Sequence, residues 1–99
     1  MILNARTSET SDLYMGVVAR PLTNLRIAVC RNGIQWLVQV SEGWRNGATR
    51  WKTCAYVMTR PGLIAAVRRY GPFSEREAEE VVDALPSRLQ APEKAYSPK

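Results

Sequence analysis

Histidine is absent from this chain of 99 residues. That removes the side chain that most often serves as general base, as partner to a nucleophile and as metal ligand. Cysteine occurs twice, at Cys30 and Cys54, too few for the disulfide scaffold of a small secreted domain. Two thiols alone do not make a structural zinc site either, since that takes about four clustered ligands. No apolar run approaches the roughly 20 residues of a membrane span. Met1 to Asp12 lacks a basic region followed by an apolar core, so it does not read as a signal peptide, and a cytoplasmic location with reduced thiols is expected. Neither phosphate-loop pattern occurs, and the glycines at 33, 43 and 47 read as turn residues. Carboxylates gather in one place, where Glu75/Glu79 and Glu79/Asp83 stand four residues apart on a helix. Without ligands from a second element they read as a solvated acidic face. No catalytic residue, metal site or cofactor is therefore expected, and the chain reads as a binding protein and not as an enzyme.

What is present begins with two Asn-Gly pairs, Asn32-Gly33 and Asn46-Gly47, each set between alternating apolar runs. Such a pair is a strong hairpin signal, because both central residues of a type I′ turn need φ > 0. The first turn places Val29 opposite Trp36, Ile27 opposite Val38 and Leu25 opposite Val40. The second places Val40 opposite Thr53, Val38 opposite Ala55 and Trp36 opposite Val57. Both registers turn the same side of the central strand inward, and a one-residue slip would break that agreement. Three strands are predicted over 25–31, 34–42 and 49–58. Their inner face carries Leu25, Ile27, Val29, Ile34, Trp36, Val38, Val40, Ala55 and Val57, and Trp51 is expected to extend it. The outer face carries Arg26, Ala28, Cys30, Gln35, Leu37, Gln39, Arg50, Lys52, Cys54, Tyr56 and Met58. In this register the cysteines lie two strands apart, about 10 Å laterally, beyond disulfide reach.

Two helices follow. Thr59 is a plausible N-cap, Pro61 suits a first turn, and Leu63, Ile64, Val67 and Tyr70 form one stripe. Gly71-Pro72 stops that helix. Ser74 and Glu77 then form a capping box, with Phe73 placed to staple onto Ala78. Ala78, Val81, Val82 and Leu85 make the inward stripe of the second helix, and Pro86 ends it. The predicted fold is thus α+β: a three-stranded antiparallel β-meander with two α-helices packed on one face. Residues 25–89 form the single domain. Residues 1–24 are an N-terminal arm, partly disordered or supplying an edge strand over 13–19, and 90–99 a disordered tail.

The net charge of +5 conceals a sharper asymmetry. From Arg20 to Arg69 there are nine basic residues against the single acid Glu42, and eight of the nine are arginine. The planar guanidinium suits phosphate and carboxylate better than an ammonium does. The candidate nucleic-acid contacts are Arg26, Arg45, Arg50 and Lys52 for phosphates, Gln35 and Gln39 for bases or sugar, and Tyr56 and Trp44 for stacking. DNA is favoured over RNA. The apolar content of the same face, Leu37, Tyr56 and Met58, suits a protein partner or a homodimer equally well. No membrane role is expected.

Asn32-Gly33-Ile34-Gln35-Trp36, then Arg50-Trp51-Lys52, Tyr56, Thr59-Arg60, Leu63 and Ala84-Leu85-Pro86 resemble a pattern in small proteobacterial and mobile-element proteins to which no catalytic residues are assigned. The resemblance spans roughly residues 25 to 89. It implies a bacterial or phage setting, in which such proteins are often DNA-binding accessory factors or inhibitors of host defence complexes, anti-CRISPR proteins among them. In strand order alone the chain is also similar to AP2-like and integrase arm-binding domains, from which the second, acidic helix separates it.

Overall fold

A computed structural model of the chain describes residues 8–86 and residue 89. The expected disordered tail and the first seven residues lie outside them. Alternating apolar residues form four strands, β1 (Val17–Leu22), β2 (Leu25–Val29), β3 (Trp36–Arg45) and β4 (Ala48–Val57), followed by helices α1 (Arg60–Tyr70) and α2 (Glu75–Asp83). The architecture is α+β, and the sheet is an antiparallel meander in the order β1-β2-β3-β4. The expected sheet of three strands is corrected to four. β1 passes through Pro21 and pairs irregularly, with two register shifts against β2. An edge position is where a strand tolerates a residue without an N–H.

β2 and β3 pair as the alternation dictates, Leu25 with Val40, Ile27 with Val38 and Val29 with Trp36. The turn between them is not type I′, however: of Asn32 and Gly33 only the glycine has positive φ, at 74°. Ile34, expected inward, is 59% exposed beside that turn. At the other turn both residues are left-handed, Asn46 at φ 54° and Gly47 at 81°.

The β3–β4 ladder departs from the simple register in its middle. Trp36 faces Val57 and Val38 faces Ala55, but Gln39 faces Thr53, Val40 faces Lys52 and Ser41 faces Trp51. Beyond that, Trp44 faces Thr49 and Arg45 faces Ala48. Cys54 is the extra residue of one bulge and the Glu42–Gly43 region supplies the other. The two shifts cancel, so the register is the same at the two ends of the ladder and displaced by one residue between them. A displacement of one residue moves each side chain of that stretch to the opposite face.

The inner face of the sheet packs against both helices. Leu25, Ile27, Val29, Trp36 and Val38 meet Leu63, Ala66 and Val67 of α1, Ala78 and Val82 of α2, and Leu85. Leu89 and Phe73 pack at the margin of this core. Thr59 caps α1 by accepting from the Gly62 N–H at 3.2 Å. Ser74 and Glu77 form a reciprocal capping box at the start of α2, with bonds of 2.9 and 3.1 Å. An ion pair of 2.8 Å between Arg60 and Asp83 ties the helices together.

The outer face is covered too. Tyr14, Ala28, Cys30 and Leu37 form a second, smaller buried cluster. The Tyr14 hydroxyl donates to the Val29 carbonyl at 2.6 Å. Gly16 permits this docking: a Cβ there would sit 2.5 Å from the Tyr14 ring and 2.7 Å from the Val29 oxygen. Leu37 is therefore core and not part of an exposed patch. Both cysteines are free thiols, Cys30 buried and Cys54 half-buried.

Candidate nucleic-acid interface

β2 pairs with β3 only from Trp36 to Val40. Ser41 N still donates to the Asn24 carbonyl at 3.0 Å, and from Glu42 onward β3 and its partner β4 extend past the rest of the sheet as a two-stranded ribbon. Every residue from Glu42 to Gly47 is exposed. Trp44 is 73% exposed beside the turn.

The bulges decide which residues share a side of this ribbon. Lys52 lies opposite Val40, and Val40 packs on the helix-facing core. Alternation along β4 then places Arg50 on the same side as Lys52, and Arg45, paired with Ala48, joins them. All three cations are exposed, and none makes an ion pair among the described residues. The opposite side of the ribbon carries Trp44, Thr49 and, at its base, Trp51. The helix-facing side continues towards the end of α1, where the Tyr70 hydroxyl donates to the Cys54 carbonyl at 3.4 Å. An open groove of about 590 Å³ runs there, with Ala55, Val57 and Ala66 in its walls and Arg68 and Arg69 at its rim.

The eight candidate contacts from the sequence separate into three groups. Arg45, Arg50, Lys52 and Trp44 come together on the ribbon. Gln35 and Tyr56 lie towards the other end of the sheet: at about 3.3 Å per residue Tyr56 is about 13 Å from Lys52, and Gln35 about 30 Å from Trp44. Tyr56 is 63% exposed there, while Gln35 is half-buried. Arg26 and Gln39 are fully buried, at 0% exposure each, so their expected role as presented contacts is corrected. The Arg26 Nε donates to Gln39 Oε1 at 2.6 Å, and its Nη2 donates to the carbonyls of Ser11 at 2.8 Å and Glu9 at 3.3 Å. Gln39 Nε2 donates to the Glu9 carbonyl at 2.8 Å and to Thr53 Oγ1 at 2.9 Å. The bulge at Cys54 is what turns Thr53 towards Gln39.

Trp51 follows the same shift. Expected on the inner face, it lies on the outer one, 4% exposed, with the Arg26 guanidinium 4.4 Å and the Arg20 guanidinium 5.3 Å from its ring centroid. Its Nε1 donates to Asp12 at 3.0 Å, and Thr49 N donates to the same carboxylate at 3.3 Å. The Trp51 bond foremost, then the Thr49 N–H and the nearby Arg20 and Arg26, hold the Asp12 carboxyl below its ordinary value against a smaller opposing effect of burial. Burial, reinforced by the like charge of Arg20, pulls Arg26 down to about 10, so it stays charged at neutral pH. Burial likewise raises the Tyr14 phenol to about 12.

Residues 8–12, expected to be loose, are thus tied to the sheet by the two polar residues the sequence assigned to a ligand. Nothing in a run of Ser, Glu, Thr, Ser and Asp marks it as a docking segment. The pairing of Arg26 with Gln39 across β2 and β3, which the register implies, was the one available signal. Among the described residues no group of three or more His, Cys, Asp or Glu side chains is placed to share a metal, and no helix is long and apolar enough to cross a membrane. No family model matches the chain, and neither a curated protein nor a solved structure does.

Proposed function

We propose that the chain is a non-enzymatic binding protein that contacts nucleic acid through the β3–β4 ribbon. The observation that carries this reading is the shared side of Arg45, Arg50 and Lys52, three exposed cations with no ion-pair partner among the described residues, on a hairpin that projects past its own sheet. A major groove about 12 Å wide admits a two-stranded ribbon of this kind. Arg45, Arg50 and Lys52 contact phosphates, and Trp44 packs from the other side against sugar or base. DNA is the favoured partner, in a phage or mobile-element setting within the bacterial cytoplasm.

Fluorescence anisotropy with a labelled duplex over a salt series tests this. Three phosphate contacts correspond to a slope of log K against log salt of about −3. Changing Arg45, Arg50 and Lys52 together to Ala removes most of the binding and flattens the slope, without unfolding a ribbon that buries none of them. No binding at low salt, or unchanged binding by the triple variant, refutes the reading.

A second reading follows from the other end of the sheet, where Ile34, Tyr56 and Met58 are 59%, 63% and 66% exposed. Apolar side chains gathered there suit a protein partner, as in an inhibitor of a host complex, or a second copy of the chain. Sedimentation of the purified protein, and pull-down after nuclease treatment with Tyr56→Ala as control, separate these from the ribbon reading.

A further inference from the structure

The segment from Ser8 to Leu13 crosses the outer face without burying any large apolar side chain; Leu13 itself is 70% exposed. What holds it is polar. Two of its carbonyls accept from Arg26, one also accepts from Gln39, the Asp12 carboxylate accepts from Trp51 and Thr49, and Glu9 Oε2 accepts from the Arg31 N–H at 2.7 Å. Polar contacts exchange with water at little net cost, so a segment fixed by them alone is released far more easily than one fixed by apolar burial. Immediately after it, Tyr14 is buried and anchored, which sets the limit of what can lift.

Beneath the segment, one group is unsatisfied. Arg26 Nη1 is buried with no hydrogen-bond partner, and no carboxylate forms an ion pair with this wholly buried guanidinium among the described residues. A buried cation is normally paired with an anion. Here Arg26 has carbonyls, an amide and the Trp51 ring, with exposed Arg20 beside the same ring. The segment laid over these groups carries two carboxylates, so it stands where a polyanion would stand.

We propose that residues 8–13 are a displaceable acidic strap, and that its release opens a second face, made of Arg20, Arg26, Gln39 and Trp51, that takes a single nucleic-acid strand. A phosphate completes the hydrogen bonding of Arg26 and replaces the Glu9 and Ser11 carbonyls, Arg20 contacts the next phosphate, and an unpaired base stacks on Trp51. A duplex, whose bases are already stacked, gains nothing from that ring. The ligand class rests on the nucleic-acid reading, but the residues are not those of the ribbon.

The test uses the full ¹⁵N-labelled chain and a twelve-residue oligothymidylate, with Glu9→Gln/Asp12→Asn as the strap-loosening variant, or Asp12→Asn alone if the double variant is not folded. The expected result is that oligothymidylate shifts the Trp51 indole N–H and the amides of residues 9–12. The variant binds about tenfold tighter, because apparent affinity scales with the open fraction. Binding by the variant only, with the Trp51 shift, also supports the strap and leaves the ribbon reading to the duplex titration. Binding that shifts only ribbon amides 44–50 and is equal in both proteins overturns the strap and leaves the ribbon reading standing. No binding of oligothymidylate by either protein overturns the strap, and the ribbon reading is decided separately by the duplex titration.

Discussion

Arg26 and Gln39 form a buried polar pair whose members should be far costlier to lose singly than together. In Gln39→Leu the guanidinium loses the acceptor at 2.6 Å on its Nε, while Nη1 is already unpaired, leaving a buried cation with only the two strap carbonyls. Leaving a buried donor unsatisfied costs about 1–3 kcal/mol and more for a charged group, so the loss of this short bond to a guanidinium is placed at about 3. In Arg26→Met the volume is roughly kept, but Gln39 Oε1 is orphaned at a fully buried site, a penalty of about 1–3 kcal/mol, with the Trp51 stacking lost as well. The double variant orphans neither group. Replacing both partners by apolar groups is nearly neutral, so its cost should fall to about 1–2 kcal/mol, mostly from the loosened strap. The coupling between the two changes is then at least about 2 kcal/mol. For a domain of this size that is a recovery of roughly 10 °C in Tm over the additive expectation. Urea denaturation of the four proteins closes the cycle, with equal m-values as the check that the denatured states are comparable. Additivity to within about 0.5 kcal/mol would show that the pair is not energetically linked and refute the reasoning.

Two further outcomes follow from the same packing. Leu63→Ala, at 0% exposure in the helix–sheet core, should cost about 2–5 kcal/mol, whereas Ile34→Ala, at 59% exposure, should change stability by less than about 0.5, both read from urea midpoints. The Asp12 carboxyl is held below its ordinary value in the folded chain, so it contributes stability that is present above about pH 4 and lost as pH falls through the folded value. Exchange protection of the Thr49 amide and the Trp51 indole should therefore fall at more acid pH, and the fall should vanish in Asp12→Asn.

Much of the fold was legible because local rules and burial agreed. The alternation at Leu25, Ile27, Val29, Trp36 and Val38, the Thr59 cap and the Ser74–Glu77 capping box each specify structure within a few residues. The site was only half legible. Arg45, Arg50, Lys52 and Trp44 are near neighbours in the chain, yet Arg50 and Lys52, expected on the outer face, lie on the helix-facing side, because the side of the ribbon each occupies depends on two bulges that no spacing announces. Cys54 is an ordinary strand residue by composition. Its bulge is stabilised by what it brings together at long range, Thr53 to Gln39 and Trp51 to Asp12 and Arg26.

By itself the sequence determined which stretches become strands and helices, which face of the meander meets the helices, and where positive charge concentrates. Those follow from periodicity and capping, which act between near neighbours. Only the tertiary structure decided that the outer face is covered, that Arg26 and Gln39 lie inside, and that the basic side of the ribbon is the helix-facing one. Each of these depends on a polar segment finding partners 15 to 39 residues away. Such bonds are satisfied by geometry, and they leave no period in the chain.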